Sequence, residues 1–528
     1  MKKRYLSLFF IPLLTMSCAE EIPFAFYQYS NIASMVVKTP VDNEQYYRLR
    51  EYKNINYIDY ETGEEELIDS YRTVYSSTNL TDVFLNQCSL GDQKILIVPV
   101  CFKGQTVQNK IEKNIYLQNA FFGNPDKTGF ESVASFYNKS SYGQLRISGE
   151  ITDWYHADYA LTDDLSDYNQ ISKKIAISAV DWLKSEQYTG PKIDLESYDL
   201  DKDKYIDSVY LVYDAPYDAS CTDSIFWAFT NHTKRGEFSL NNTAPYVCSF
   251  SWSSINFVIQ EENQAQHNTF IHEVGHLLGL SDYYSNISSY QPTGSFDVMD
   301  SNLGDQSGYS KMILNWVTPY VLKKEGRITL RPFSSTGDLL LVPVGTYNDT
   351  PYDEYLLLEY FTSDGLNSTN GASYEYKSYD GERNIFKYPS YHGVKVYHID
   401  SRIAYLSRKN VGTIGNSIIA YLDEENALNK AKDYGKYCIG IGNTNQVLGQ
   451  KDKVLCHLLE SSGLNTFLNG KTANNDTLFR LNSSFGVETF TDYKFNKVDS
   501  NGKNYRLEYT FKIVELHSDS VTIEFTKK

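Results

Sequence analysis

His272 and His276 stand four residues apart, Glu273 follows the first of them, and Asp282 comes six residues after the second. On a helix, positions i and i+4 share a face with Cβ atoms about 6 Å apart, so two imidazoles there can meet one ion. Zinc binds imidazole nitrogen at about 2.0–2.1 Å, and a catalytic site takes three protein ligands and leaves one position for water. A carboxylate beside the first ligand can reach that water, take its proton as a carbonyl is attacked, and hand the proton to a leaving amine. The chemistry expected is peptide-bond hydrolysis, with Zn2+ held by His272, His276 and Asp282, Glu273 as base, and a protein or peptide as substrate.

Those side chains need a helix that stops on time. Phe270, Ile271, Val274, Leu277 and Leu278 supply its buried faces, and Asn263 with Gln266 three residues on reads as an N-cap pair. Gly279 can take φ > 0, end the helix and turn the chain back, which brings Asp282 in as third ligand. Upstream, Ile95 to Val100 reads as a buried strand in which Pro99 suggests an edge or a bulge. Phe130 to Tyr142 has a helical pattern that stops at Gly143, Leu145 to Ile151 alternates like a strand, and Ile206 to Tyr213 is again strand-like. Tyr168 to Leu183 is amphipathic through Ile171, Ile175, Ala179 and Leu183. Strands alternating with helices predict an α/β layer structure.

After Trp316 the text turns to strands and turns: Arg327 to Leu330, Leu339 to Val344, Tyr355 to Tyr360, Val394 to Ile399, and Leu507 to Phe525. One or two β-sandwich-like units are expected there. The fold class is therefore α+β, with a signal segment at 1–17, an N-terminal pro-like region at 18–90, a catalytic domain at 91–325 and a β-rich region at 326–528.

The run from His272 to Asp282, followed by Phe296-Asp297-Val298-Met299-Asp300, resembles the metzincin arrangement, in which a Met-turn lies beneath the zinc. Within metzincins it is similar to the immune inhibitor A-like secreted bacterial metalloproteases, where Asp replaces the usual third His. The likeness extends from about Lys94 to Asp400 and takes in Phe136-Tyr137, Ser141 to Leu145, Gly149 to Tyr155, Lys311 to Trp316 and Gly393 to Asp400. It implies a metzincin-like catalytic domain with Met299 as the Met-turn residue. Ser281 stands where that family often has Pro, and no Tyr stands two residues after Met299, so no tyrosine is assigned to oxyanion support. A gluzincin-type arrangement would need a Glu on a later helix, and none is well formed before the β-rich half.

Asp199, Asp201, Asp203 and Asp207 are spaced like a calcium loop, and immune inhibitor A-like proteins carry a similar segment, so Ca2+ is a second expected ion. Lys204 occupies the position where an EF-type loop wants Gly, and a solvated acidic turn is the plainer reading. The net charge of −17, from 49 basic and 66 acidic side chains, argues against nucleic acid as a partner. Lys2-Lys3-Arg4 and the apolar run to Met16 read as a secretory signal, and Thr15-Met16-Ser17-Cys18 resembles a lipobox with Cys18 as lipidation site. An exported chain is expected, anchored at the bacterial outer membrane or cell surface through that lipid alone, or secreted. The other six Cys form no CxxC pair and read as buried thiols or structural disulfides, with Cys88 a possible thiolate for a latent zinc site. A non-catalytic surface lipoprotein that binds protein or glycan, with a vestigial zinc site, is the alternative class.

Overall fold

The computed structural model describes residues 46–48, 55–58, 65–68, 88–200, 202, 204–217, 224–232, 243–259, 268–285, 290–301, 304–347, 353–371, 374–377, 383–386, 389–401, 404–407, 418–421, 436–439, 443, 454–493, 495–498 and 504–528. The signal segment and Cys18 lie outside these residues. Among the described residues no helix is long and apolar enough to cross a membrane.

The first sheet contains β1 (Gly91–Cys101), β2 (Leu145–Ile151), β3 (Tyr155–His156), β4 (Val209–Tyr213), β5 (Phe229–His232) and β6 (Ser249–Ser254). Its order is β2-β1-β4-β6-β5, with β3 also on β1; β5 is the antiparallel outer strand and the other pairings are parallel. Parallel strands covered on both faces read as unbroken apolar runs, which is why Ile95 to Val98 are all fully buried. Alternate residues serve two cores. Ile95, Ile97, Tyr210 and Val212 face α1 (Lys110–Phe122) and α2 (Val133–Ser140), while Leu96, Val98, Val209 and Leu211 face α3 (Tyr168–Lys184).

Three sequence expectations shift here. Pro99 lies in a central strand, not at an edge: β4 pairs on one side, and on the other the partner changes from Ile97↔Ile151 to Val100↔Tyr155. That pairing slips by one residue where β2 hands over to β3, and the missing proline N–H falls in the gap. The helix expected over 130–142 spans only Val133–Ser140, because Ser132 caps it by accepting from the Ser135 N–H and the chain turns left-handed at Tyr142. The strand expected over 206–213 divides, since Tyr205–Ile206 pairs with Tyr246–Val247 instead of joining the sheet.

After α4 (Asn268–Leu277) and α5 (Gly308–Ile313), two further sheets form from β7 (Tyr320–Leu322), β8 (Gly326–Leu330), β9 (Leu339–Pro343), β10 (Glu354–Phe361), β11 (Gly393–Asp400), β12 (Cys456–Leu458), β13 (Ser484–Phe485), β14 (Tyr509–Leu516) and β15 (Val521–Lys527). One runs β7-β9-β10-β11-β12 with Tyr46–Arg48 outside β7; the other runs β8-β15-β14-β13. The stretch expected as one strand over 507–525 is thus a hairpin. The sheets share a core: Leu340, Val342, Leu356, Leu358, Val394 and Val396 meet Phe511, Ile513, Ile523 and Phe525. The opposite face of the same strands, with Leu341, Tyr355, Leu357, Tyr397 and Ile399, belongs to the core that holds α4 and Trp316.

An ion network ties these layers. Lys311 on α5 is fully buried, 2.5 Å from Asp305 and 3.2 Å from the Tyr142 hydroxyl, with its ammonium over the Tyr142 ring. Burial pulls its pKa down and Asp305 opposes the shift. Nearby, Glu359 pairs with Lys395 and accepts the Gly308 N–H. Removing one member strands a buried charge. Asp305→Ala should therefore lower unfolding free energy by roughly 3–5 kcal/mol in urea titrations, and adding Lys311→Met should restore over half of the loss. Simple additivity of the two changes would contradict the account.

Candidate active site

Helix α4 is anchored from below. Phe270 stacks on Phe121 at 5.0 Å, and the Tyr137 hydroxyl donates to the Ile271 carbonyl at 2.6 Å. Beneath it lies Met299, so close that a Cβ on Gly275 would sit 2.4 Å from its Sδ. The Asn263 and Gln266 cap lies outside the described residues. The helix ends at Leu277, Gly279 takes φ 93°, and the Leu280 N–H returns to the Gly275 carbonyl at 2.9 Å. That is a Schellman closure, and it reverses the chain as the sequence suggests.

The reversal brings Asp282 between the two imidazoles. Its Oδ1 lies 3.0 Å from His272 Nε2 and 3.1 Å from His276 Nε2, and all three atoms lie within 4.8 Å of one another. A tetrahedral ion with ligands at 2.0–2.1 Å has edges of about 3.3 Å, so the donor set fits zinc. His272 Nδ1 is 2.9 Å from the Val298 carbonyl and His276 Nδ1 is 2.8 Å from the Leu280 carbonyl. A carbonyl only accepts, so both Nδ1 atoms carry protons and both Nε2 lone pairs point inward when the rings are neutral. The three side chains keep 17%, 18% and 20% of their surface exposed, so the group is open to solvent. Among the described residues no other cluster of three such side chains could hold a metal.

Electrostatics separate the acids. Burial works against a charged His276, yet Asp282 overcomes it and lifts the pKa to about 9; His272 is raised by the same contest. Burial alone would raise Asp282, but the two imidazoles hold it well below the usual carboxylate range. Glu273 is only 4% exposed, and burial pushes its pKa up despite the neighbouring rings. Its Oε2 accepts from Thr230 Oγ1 at 2.9 Å. Under the site, burial pushes Asp297 up to about 6 although the Met299 and Ser307 N–H groups donate to it. The Met299 carbonyl in turn accepts the Tyr283 N–H at 2.8 Å, linking the turn at Met299 to the loop after α4.

Residues 99–208 match the model of the immune inhibitor A peptidase M6 catalytic domain. Over those residues the chain is similar to the immune inhibitor A metallopeptidases, and that similarity supports a metallopeptidase. Proteins or peptides are the substrates of such an enzyme. The match runs from β1 to the start of β4, ahead of the helix that carries His272. A search among curated proteins returned no match.

Other expectations meet mixed outcomes. Cys88, Cys101 and Cys456 are free thiols and Cys248 is buried; Cys88 is exposed, bonded to the Leu90 carbonyl, and outside the metal group, while Cys438 lies on the strand Lys436–Ile439 and Cys221 lies outside the described residues. His398 is bonded to Glu354 at 2.9 Å, as a packed strand histidine should be. Asp199 and Asp207 accept the N–H groups of Lys204 and Leu200, and Lys204 takes φ 76°, the conformation a Gly would supply. Asp201 and Asp203 lie outside the described residues. Sequence reading missed Thr230, the Val298 carbonyl, and Tyr284, whose ring stacks on His272 at 6.5 Å. None has a spacing signature.

A raised His276 pKa has a definite sign for metal affinity. Below about pH 9 a divalent ion must displace the His276 proton, so apparent affinity falls as pH falls, by up to about tenfold per unit for that proton. Chelator competition between pH 6 and 8 measures this directly; a flat profile would count against the assignment of these imidazoles as ligands.

Proposed function

We propose that this chain is an exported zinc-dependent endopeptidase in which His272, His276 and Asp282 hold the ion and Glu273 is the general base. The observation that carries the proposal is the convergence of His272 Nε2, His276 Nε2 and Asp282 Oδ1, with each Nδ1 donated to a carbonyl, beside a buried carboxylate on the same helix. Zinc held there would polarise a substrate carbonyl and lower the pKa of a bound water. Glu273 would accept a proton from water on a carboxylate oxygen and hand it to the departing amine, a task its burial-raised basicity suits. Asp282 Oδ1 lies between the two Nε2 atoms of rings set nearly edge to face, and Met299 supports α4 at Gly275.

The layout around the helix supports a metzincin-like catalytic domain at 91–325, with the two sheets built mainly from 326–528 read as a β-sandwich-like unit. An extended peptide would lie along β5, the outer strand of the first sheet. Export with lipidation at Cys18 rests on the N-terminal segment, and Ca2+ at Asp199, Asp201, Asp203 and Asp207 rests on their spacing and on the Lys204 backbone. Calorimetry with calcium, or a calcium-linked rise in melting temperature, tests the second ion. The family match does not favour the non-catalytic alternative.

Purified protein should contain about one zinc per chain, cleave a denatured casein-like substrate and lose activity to chelator. Glu273→Gln should keep the zinc while turnover drops by about 1,000-fold or more. A fully active Glu273→Gln enzyme would sink the mechanism, and a zinc-loaded wild type without activity would sink the function.

A further inference from the structure

Thr230 lies on β5 directly opposite Ser251 of β6. Directly paired residues on neighbouring strands point to one face of a sheet, and here both hydroxyls reach α4. Thr230 Oγ1 is 2.9 Å from Glu273 Oε2 and 3.1 Å from the Glu273 carbonyl oxygen. Ser251 Oγ is 2.8 Å from Thr230 Oγ1 and 3.2 Å from that same carbonyl. Counting protons resolves the network. A hydroxyl has one hydrogen to donate, and an ionised carboxylate has none. With the Ser251 hydrogen on the Glu273 carbonyl, the Thr230 hydrogen goes to Oε2, the charged acceptor and, at 2.9 Å, nearer than that carbonyl at 3.1 Å. No hydrogen bond to Oε1 is found among the described residues, so the two oxygens of the base are unequal: one is held and one faces its task unencumbered.

We infer that Thr230 is a positioning residue for the general base, its hydroxyl fixing Glu273 Oε2 so that Oε1 is the oxygen that takes the proton. This rests on the zinc-peptidase reading of the site. The strand that carries Thr230 is also the outer strand along which an extended substrate would lie, so the same backbone registers both the peptide and the base. A base held by one charge-assisted hydrogen bond keeps its orientation without waiting on substrate.

The test compares wild type, Thr230→Val and Thr230→Ser for kcat, KM, zinc content and melting temperature on one peptide. Valine preserves shape and removes the donor, so kcat should fall about 10- to 100-fold, with KM and zinc content unchanged. Serine restores the donor and should return kcat to within about threefold of wild type. If the valine protein does not fold, as read from its melting curve, Thr230→Ala replaces it in the same comparison. A valine enzyme with wild-type kcat, or a serine enzyme as impaired as the valine one, overturns the inference. A zinc-loaded wild type that cleaves nothing overturns the site reading itself, and the role of Thr230 with it.

Discussion

The site depends on one change of backbone direction, at Gly279. A helix can place two imidazoles on one face without help, but a third donor requires the chain to stop and come back within a few residues. The left-handed conformation at φ 93° does this, and a side chain there would cost about 1–2 kcal/mol. The closure also aims the Leu280 carbonyl at His276 Nδ1. A single turn therefore delivers the aspartate and sets the tautomer of one histidine, and the Met-turn does the same for the other through the Val298 carbonyl.

Three carboxyl groups around that turn show how environment separates their roles. Asp282 sits between imidazoles and stays ionised, Glu273 is buried with one hydroxyl donor and gains basicity, and Asp297 is buried beneath the site and rises to about 6. Burial acts on all three in the same direction; the neighbours decide the outcome. Glu273 and Asp282 divide basicity and charge between them, while Asp297 accepts the Met299 N–H and the N–H of Ser307, the cap of α5.

The parts legible in sequence were those fixed within a few residues. The His272, His276 and Asp282 grouping follows from helical periodicity and one glycine, so spacing revealed it. Strand and helix positions also followed from periodicity, but their limits did not. Pro99 read as an edge or a bulge because nothing local says that β2 ends and β3 begins beside it. The 507–525 run hid a hairpin whose turn, with the His517 N–H on the Ser520 carbonyl, has no glycine or proline to mark it. Thr230, and the role of the carbonyl of Val298, escaped for a related reason: they lie 43 and 26 residues from the groups they hold. Only sheet register and loop return bring them there.

The face of β9, β10 and β11 that carries Leu341, Leu357 and Tyr397 closes the core beneath α4, and Glu359 on β10 receives the Gly308 N–H of α5. The support beneath α4 is thus built from strands far along the chain. The β-rich half is not an interchangeable module that could be exchanged for an unrelated binding domain, as a flexibly tethered one could. Any natural shuffling of this protein has to carry both halves together.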